Sequence, residues 1–244
     1  MNFEYLTGKI RFGTASSKDY TDWAEDMLQD GADSENVAIL TGLGLDKAPD
    51  MEEIRFYFKK SISDLELELP TDEDCILNYA RHICKEIVDG VMPPLNGLVI
   101  LDGLYSISYY GPIYSIWDEL SEDIWMVSDN QASLFNTGLV KKNTEQYIVN
   151  VASQFIKLTE IELPEQFFNF GVCKKCGYID EHTIERVDLP WMPEWLFILI
   201  FKRGPTCRVV CSKCSEPYPL SMGNYVGREK FLKSKYKQDT SLDV

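Results

Sequence analysis

Residues 173–177 read CKKCG and residues 211–214 read CSKC, so the chain carries two Cys-x-x-Cys pairs. A tight turn at such a pair directs both sulfur atoms to one side, and two pairs can enclose one ion tetrahedrally. The pairs are 34 residues apart, and no alternation of strands and helices typical of a thioredoxin-like redox protein surrounds them. The four cysteines therefore predict one structural zinc ion, Zn²⁺, held by Cys173, Cys176, Cys211 and Cys214.

Two further residues are alternative ligands. Cys207 lies four residues before Cys211 and could replace one thiolate. Residues 206–210 alternate like a strand that runs into the second pair, which favours a position for Cys207 beside the site. His182 is nine residues from Cys173 and is the less favoured candidate. The remaining cysteines, Cys75 and Cys84, lie among apolar helical residues and are expected in the core.

The stretch from Cys173 to Leu220 resembles the zinc ribbons of small bacterial proteins. The shared features are a first knuckle ending in Gly177, a proline- and aromatic-rich insert over residues 190–202, a strand into the second knuckle, and a closing Tyr218. Ser215 departs from the pattern, because a second glycine is usual there. The resemblance implies a zinc-ribbon fold of short antiparallel strands. We expect the apolar run 196–201 to be one of these strands.

The N-terminal part predicts helices, because capping residues precede apolar positions spaced three or four residues apart. The expected helices begin near Ser17, Ser34, Asp50, Thr71, Ile113 and Thr144. Residues 3–12 favour a short hairpin or strand, and residues 99–110 allow a buried helix or a strand pair. The predicted fold class is mainly α, an antiparallel helical array with HEAT-like pairing as one arrangement, followed by a small C-terminal β zinc ribbon.

Charge divides the chain at about residue 160. Residues 1–160 contain 28 acidic and 12 basic side chains, and residues 161–244 contain 11 and 12. We therefore predict an acidic helical domain (1–160) and a zinc-ribbon domain (161–244) with a basic tail after Gly227. Residues 19–35 and 61–80 contain no lysine or arginine. Solvated helix faces explain such acids without a function, whereas a docking surface for a basic protein would use Asp22, Asp26, Asp30, Asp33, Glu66, Asp72 and Glu73.

Residues 16–125 resemble helical domains of unknown function from bacterial toxin–immunity and defence loci. The residues that carry this resemblance are 23–28, 31–34, 39–43 and 87–90. It implies an immunity or antitoxin-like role, since acidic inhibitors often bind basic toxins. The predicted function is a non-enzymatic protein-binding module with a basic, toxin-like partner. The alternative is a zinc-ribbon nucleic-acid-binding or transcription-associated factor that uses Lys174, Lys175, Lys202, Arg203, Arg208 and the basic tail.

Enzymatic and membrane functions receive little support. The chain has two histidines, and it lacks a nucleophile elbow, a phosphate-binding loop and an HExxH motif. A zinc ion with four thiolates has no open position for a substrate. The apolar run 195–201 is far shorter than the roughly 20 residues of a membrane-spanning helix, and no export signal is recognisable. We expect a cytoplasmic protein without a membrane partner.

Overall fold

A computed structural model describes residues 2–109, 111–164 and 166–239, and these residues are mainly helical. Within the described residues, short antiparallel strands are confined to the C-terminal region. The helices are α1 (Phe3–Arg11), α2 (Ser17–Gln29), α3 (Glu35–Leu43), α4 (Met51–Asp64), α5 (Asp72–Val88), α6 (Pro94–Ile107), α7 (Ser115–Ser128), α8 (Thr144–Thr159), α9 (Glu194–Phe201) and α10 (Tyr225–Asp239). The strands are β1 (Phe170–Val172), β2 (Ile179–Glu181), β3 (Thr183–Arg186), β4 (Cys207–Val210) and β5 (Leu220–Ser221).

The chain divides into two compact units. The N-terminal unit comprises residues 1–86 with 106–109, and the C-terminal unit comprises residues 87–105 and 110–244, within the described ranges. This division does not follow the change of composition at residue 160. Helices α7 and α8 group with the cysteine-bearing segment, because their apolar faces pack in the C-terminal unit.

In the N-terminal unit, capping side chains start the helices as the sequence predicts. Ser34 Oγ accepts a hydrogen bond from the Val37 amide at 3.2 Å, and Asp50 Oδ1 accepts one from the Glu52 amide at 2.9 Å. These bonds satisfy amides that have no partner inside the helix. Consecutive helices α2, α3 and α4 pack on one another. Their shared core consists of Leu6, Tyr20, Trp23, Ala24, Val37, Leu40, Ile54, Phe58 and Ile62.

Two predicted strands are wrong, and the open choice between a helix and a strand pair after residue 99 is decided for a helix. Residues 3–12 form α1, in which Gly8 lies so close to α5 that a Cβ there would stand 2.6 Å from Tyr79 Cβ. Residues 196–201 belong to α9, which begins after Pro193 and ends at Lys202 in the left-handed conformation. Pro193 has an extended ψ at the N-cap position, which favours the start of a helix. The apolar run itself has no periodicity that distinguishes a helix from a strand. Residues 99–107 are helical, in α6.

The expected basic tail is largely a packed helix. α10 contacts α8, and Phe231 and Leu232 are buried. Arg228 is 1% exposed, and its guanidinium donates to Gln154 Oε1 at 2.6 Å and to the carbonyl oxygens of Met222 and Gly223. These contacts make Arg228 a structural residue. The side chains of residues 236–239 and all of residues 240–244 lie outside the described structure, so the structure does not describe that part of the predicted tail.

The strands form two small antiparallel sheets in the C-terminal unit. One sheet has the order β2-β1-β5, with Val172 opposite Ile179 and Leu220. The other pairs β3 with β4, from Thr183 opposite Val210 to Arg186 opposite Cys207. Residues 187–206 join β3 to β4 and contain α9. Both Cys-x-x-Cys pairs directly follow a strand, which fixes their backbone directions.

The apolar insert is only partly covered. Phe197 is buried beneath the guanidinium groups of Arg186 and Arg203, which lie 4.8 and 5.4 Å from its ring centroid. Trp191 and Trp195 remain 75% and 68% exposed. None of the helices in the described ranges combines the length and apolar character needed to cross a membrane.

Candidate metal centre

The first knuckle is the loop that joins β1 to β2. The Cys173 amide donates to the Tyr178 carbonyl at 2.9 Å, and the Gly177 amide donates to the Cys173 carbonyl at 3.1 Å. Gly177 has φ +70°, the left-handed conformation that lets the chain turn back after Cys176. The turn therefore places both sulfur atoms on the same side of the hairpin.

The second knuckle repeats this pattern. The Cys211 amide donates to the Glu216 carbonyl at 2.9 Å, and the Ser215 amide donates to the Cys211 carbonyl at 2.8 Å. Ser215 has φ +56° and occupies the position that Gly177 has in the first knuckle. Beyond the loop, Val210 pairs with Pro217, so a second hairpin closes behind the cysteines. Ser215 adopts the same left-handed conformation, which is sterically less favourable for a residue with a side chain than for glycine.

The four cysteine sulfur atoms lie within 4.8 Å of one another. Cys173 Sγ is 3.6 Å from Cys214 Sγ, and Cys176 Sγ is 3.7 Å from Cys211 Sγ. Zinc–sulfur bonds of about 2.3 Å in a regular tetrahedron require sulfur–sulfur distances of about 3.8 Å. The cluster can therefore hold one metal ion with only small movements of the side chains.

Backbone amides favour a thiolate at Cys173, whereas at Cys214, against an opposing hydrogen bond from the Glu216 amide, burial and the neighbouring thiols raise the pKa. The Cys176 amide points at Cys173 Sγ from 3.4 Å. Hydrogen bonds from the amides of Cys176 and Lys175 lower the pKa of the Cys173 thiol to about 6. The knuckles also carry Lys174, Lys175 and Lys213. A divalent ion with four thiolates would have a net charge of −2, which Lys174 and Lys213 would offset, since Lys175 pairs with Glu216.

The two alternative ligands lie outside the cluster. Cys207 is exposed at the start of β4, and its Sγ faces the Pro205 carbonyl. His182 packs against Gly171, and both of its ring nitrogens are buried without a hydrogen-bond partner among the residues that the structure describes. The set of four cysteines predicted as a unit is the set that the structure brings together.

The predicted partner-binding acids fall into groups at different helix ends of the N-terminal unit. Asp30 and Asp33 are exposed beyond the last turn of α2, and Glu66 is exposed just after α4. Hydrogen bonds from Ser34 and Asn36 to Asp64 Oδ2, of 2.6 and 2.8 Å, hold the end of α4 beside the start of α3. These bonds bring Asp33 and Glu66 into one region.

The other predicted acids have local partners. Asp72 and Glu73 begin α5, where the helix dipole favours negative charge, and Asp72 Oδ2 lies 3.1 Å from Arg11 Nε. Asp22 pairs with Lys18 at 2.6 Å, and Asp26 also has an interaction partner. The charges of Asp22 and Asp72 are therefore already partly compensated within the unit.

A functional candidate that the sequence did not reveal is Glu119, on α7. It lines a cavity of about 530 Å³ in the C-terminal unit, with Tyr105, Phe135, Phe168 and Asn224 among the other walls. Its Oε2 is buried, and no residue in the described ranges gives it a hydrogen bond. Burial raises the pKa of the Glu119 carboxyl to about 7, although the nearby Arg228 opposes the shift. In the sequence, Glu119 is one of many acids in a helix, and no spacing distinguishes it.

Comparison with known proteins adds no further assignment. No protein-family model matches the chain, and the curated proteins and solved structures likewise give no match. Neither family resemblance drawn from the sequence gains support in this way. The chemistry of the site follows from its own residues.

Proposed function

We propose that the four-cysteine cluster holds one structural zinc ion and that residues 170–221 form a zinc ribbon. The two equivalent knuckles and the near-tetrahedral sulfur spacing support this assignment. Four thiolates leave no coordination position for a substrate, so the metal braces the fold and performs no hydrolysis.

The identity of the metal has a direct test, because Cys-x-x-Cys knuckles also suit iron. Elemental analysis of purified protein should find one zinc per chain and no visible absorption band. One iron per chain with a thiolate-to-iron charge-transfer colour would contradict zinc but not metal binding. Loss of metal in Cys173→Ser, with retention in Cys207→Ser, would assign the ligands.

We also propose that the chain is a non-enzymatic protein-binding module whose N-terminal unit recognises a basic partner protein. An immunity-type protein that binds a basic toxin belongs to this class. The observation that carries the proposal is the acidic end of α2 and α4, formed by Asp30, Asp33 and Glu66. Neither helix has a basic residue in its last turn. Asp30 and Glu66 lie at or just beyond the carboxyl ends of α2 and α4, where negative charge is unfavourable, so a cationic partner would stabilise both.

The alternative, nucleic-acid binding, has weaker support. Three of the basic residues that would contact phosphate are engaged elsewhere: Arg203 pairs with Asp188, Arg208 with Glu185, and Lys175 with Glu216. A net charge of −15 also repels a polyanion. These pairs favour a protein partner.

The test compares two triple variants with equal loss of charge. The first is Asp30→Asn, Asp33→Asn and Glu66→Gln, and the matched control is Glu4→Gln, Glu52→Gln and Glu53→Gln, whose acids lie in first helical turns. Each variant serves as bait for cell extract with and without about 0.5 M salt. A basic protein that the wild type and the control capture, and the first variant does not, would support the proposal. Equal capture by both variants, or only nucleic acid in the eluate, would refute it.

A further inference from the structure

A cavity in the N-terminal unit has a lining whose charge is opposite to the negative net charge of that unit. Its volume is about 350 Å³, at the small end of the roughly 300–1,000 Å³ of ligand pockets. It lies where α1, α2, α4 and the start of α5 meet. Its apolar walls are the side chains of Ile10, Tyr20, Phe58, Ile62, Leu69, Pro70 and Cys75.

The polar side chains of this cavity are mainly cationic. Arg11, Arg55 and Lys59 line it, together with a single acid, Asp72. Residues 1–86 contain 19 acidic and only nine basic side chains, so a third of the basic residues in this segment are gathered at one cavity. At the average ratio of this segment, about two acids to one base, a lining of four charged side chains would contain more acids than bases. The rim therefore has a local positive charge within an acidic unit.

The cations at the rim keep donors for a further acceptor. Arg11 approaches Asp72, but within the described part of the chain its buried Nε has no aligned hydrogen-bond acceptor. Arg55 contacts the Tyr20 hydroxyl, and neither Arg55 nor Lys59 forms an ion pair with a residue that the structure describes. A guanidinium has five N–H donors, so much of its donor capacity remains unused.

The apolar walls would add no competing charge. Cys75 is buried, and burial raises the pKa of its thiol, which keeps this wall neutral. Tyr20 is likewise buried, and burial raises its pKa. A ligand for this cavity needs an apolar body for the walls and an anionic head for the rim.

From this arrangement we propose that the cavity binds a small amphipathic anion, an aliphatic or aromatic monocarboxylate, with its head at Arg55, Lys59 and Arg11. Guanidinium and ammonium groups form charge-assisted hydrogen bonds to carboxylate oxygens. The apolar body would replace water at Phe58, Ile62 and Ile10. This site shares no residue with the acidic end of α2 and α4, so it is independent of the proposed protein partner.

Calorimetric titration of the full chain with decanoate tests the proposal, and decanol serves as the uncharged probe. Decanoate should bind one site per chain, at least tenfold more tightly than decanol. Arg55→Gln and Lys59→Gln should each weaken decanoate binding by about three- to fivefold, because both cations are partly solvated, and the double variant by about tenfold or more. Binding of decanol should stay within about twofold in all variants.

Lys60→Gln is the matched control. Lys60 follows Lys59 on α4 but lies over the Phe56 ring and does not line the cavity. Its removal should change decanoate affinity by less than about twofold. Three results would overturn the proposal: no decanoate binding up to about 1 mM, equal affinity for decanoate and decanol, or equal losses in Lys59→Gln and Lys60→Gln. The last two would indicate binding to exposed apolar surface, such as that of α9.

Discussion

Removal of the side chain at Ser215 and addition of one at Gly177 should change metal affinity in opposite directions. Gly177 and Ser215 occupy equivalent positions with φ of +70° and +56°. A side chain in left-handed backbone costs roughly 1–2 kcal/mol, and glycine loses about 0.4–1 kcal/mol more backbone entropy on folding. Ser215→Gly should therefore stabilise the second knuckle by about 0.5–1 kcal/mol. Gly177→Ala should destabilise the first by about 1 kcal/mol, and the strain is purely conformational because a Cβ there would meet no atom within 4 Å.

The assay is competition for Zn²⁺ against a chromophoric chelator, together with thermal unfolding of the metal-loaded protein. Metal binding and folding of a knuckle are coupled, so these free energies correspond to about two- to fivefold tighter binding in Ser215→Gly and about fivefold weaker binding in Gly177→Ala. Ser212→Gly is the control, because Ser212 lies in the same knuckle and has negative φ. It should weaken binding slightly. If Ser215→Gly and Ser212→Gly shift affinity in the same direction, the argument from the left-handed position is refuted.

Three further predictions concern the C-terminal unit. Removal of the metal by a chelator should unfold residues 170–221, measured by hydrogen exchange, and a metal-free protein that keeps wild-type protection there would contradict a structural metal. Asp123→Ala should cost about 3 kcal/mol or more in urea unfolding, because the buried carboxylate accepts from the amides of Leu134, Phe135 and Asn136 and from Asn136 Nδ2. The exposed neighbour Glu122→Ala should stay within about 0.5 kcal/mol. For Glu119, whose folded pKa lies above the usual value, the folded state binds more protons between about pH 4.5 and 7, so stability falls as pH rises through this window. The free energy of unfolding of Glu119→Gln, relative to that of wild type, should therefore increase by about 1–2 kcal/mol from pH 5 to pH 8, after allowance for partial solvation. If the difference between the two proteins does not change with pH, the carboxyl is ionised throughout this range.

The sequence predicted well what depends on short-range chemistry. Ser34 and Asp50 cap helices because their side chains reach an amide two or three residues away, and that distance is visible in the sequence. The Cys-x-x-Cys pairs are equally local, since each turn is closed by hydrogen bonds within six residues. The grouping of four sulfur atoms followed from the two turns. The metal's identity did not, because the same turns suit more than one ion.

The failures concern residues whose role is set by distant contacts. Gly8 interrupts the helical pattern of residues 3–12, and only the closeness of Tyr79 on α5 explains it. Gly97 in α6 is likewise required by contact with Ile87. A glycine that permits close packing looks the same in sequence as one that makes a turn. Residues 3–12 were therefore mispredicted, whereas residues 99–110 were left open because their apolar run has no periodicity that separates a helix from a strand pair.

Arg228 illustrates how the metal centre and the helices depend on each other. β1, which leads into the first knuckle, pairs with β5, and the chain beyond β5 supplies the carbonyls of Met222 and Gly223 to the buried guanidinium. The same turn carries Asn224, whose Nδ2 donates to Phe135 O at 2.7 Å, in the loop that Asp123 holds. A buried guanidinium with incomplete partners is costly, so the packing of α10 on α8 depends on the turn after β5 that presents these carbonyls. β5 in turn pairs with β1, which leads into the four-cysteine cluster and which a bound metal would anchor. Loss of the metal should therefore weaken hydrogen-exchange protection in α10 as well as in the knuckles, whereas protection in α2 to α4 of the separate N-terminal unit should not change.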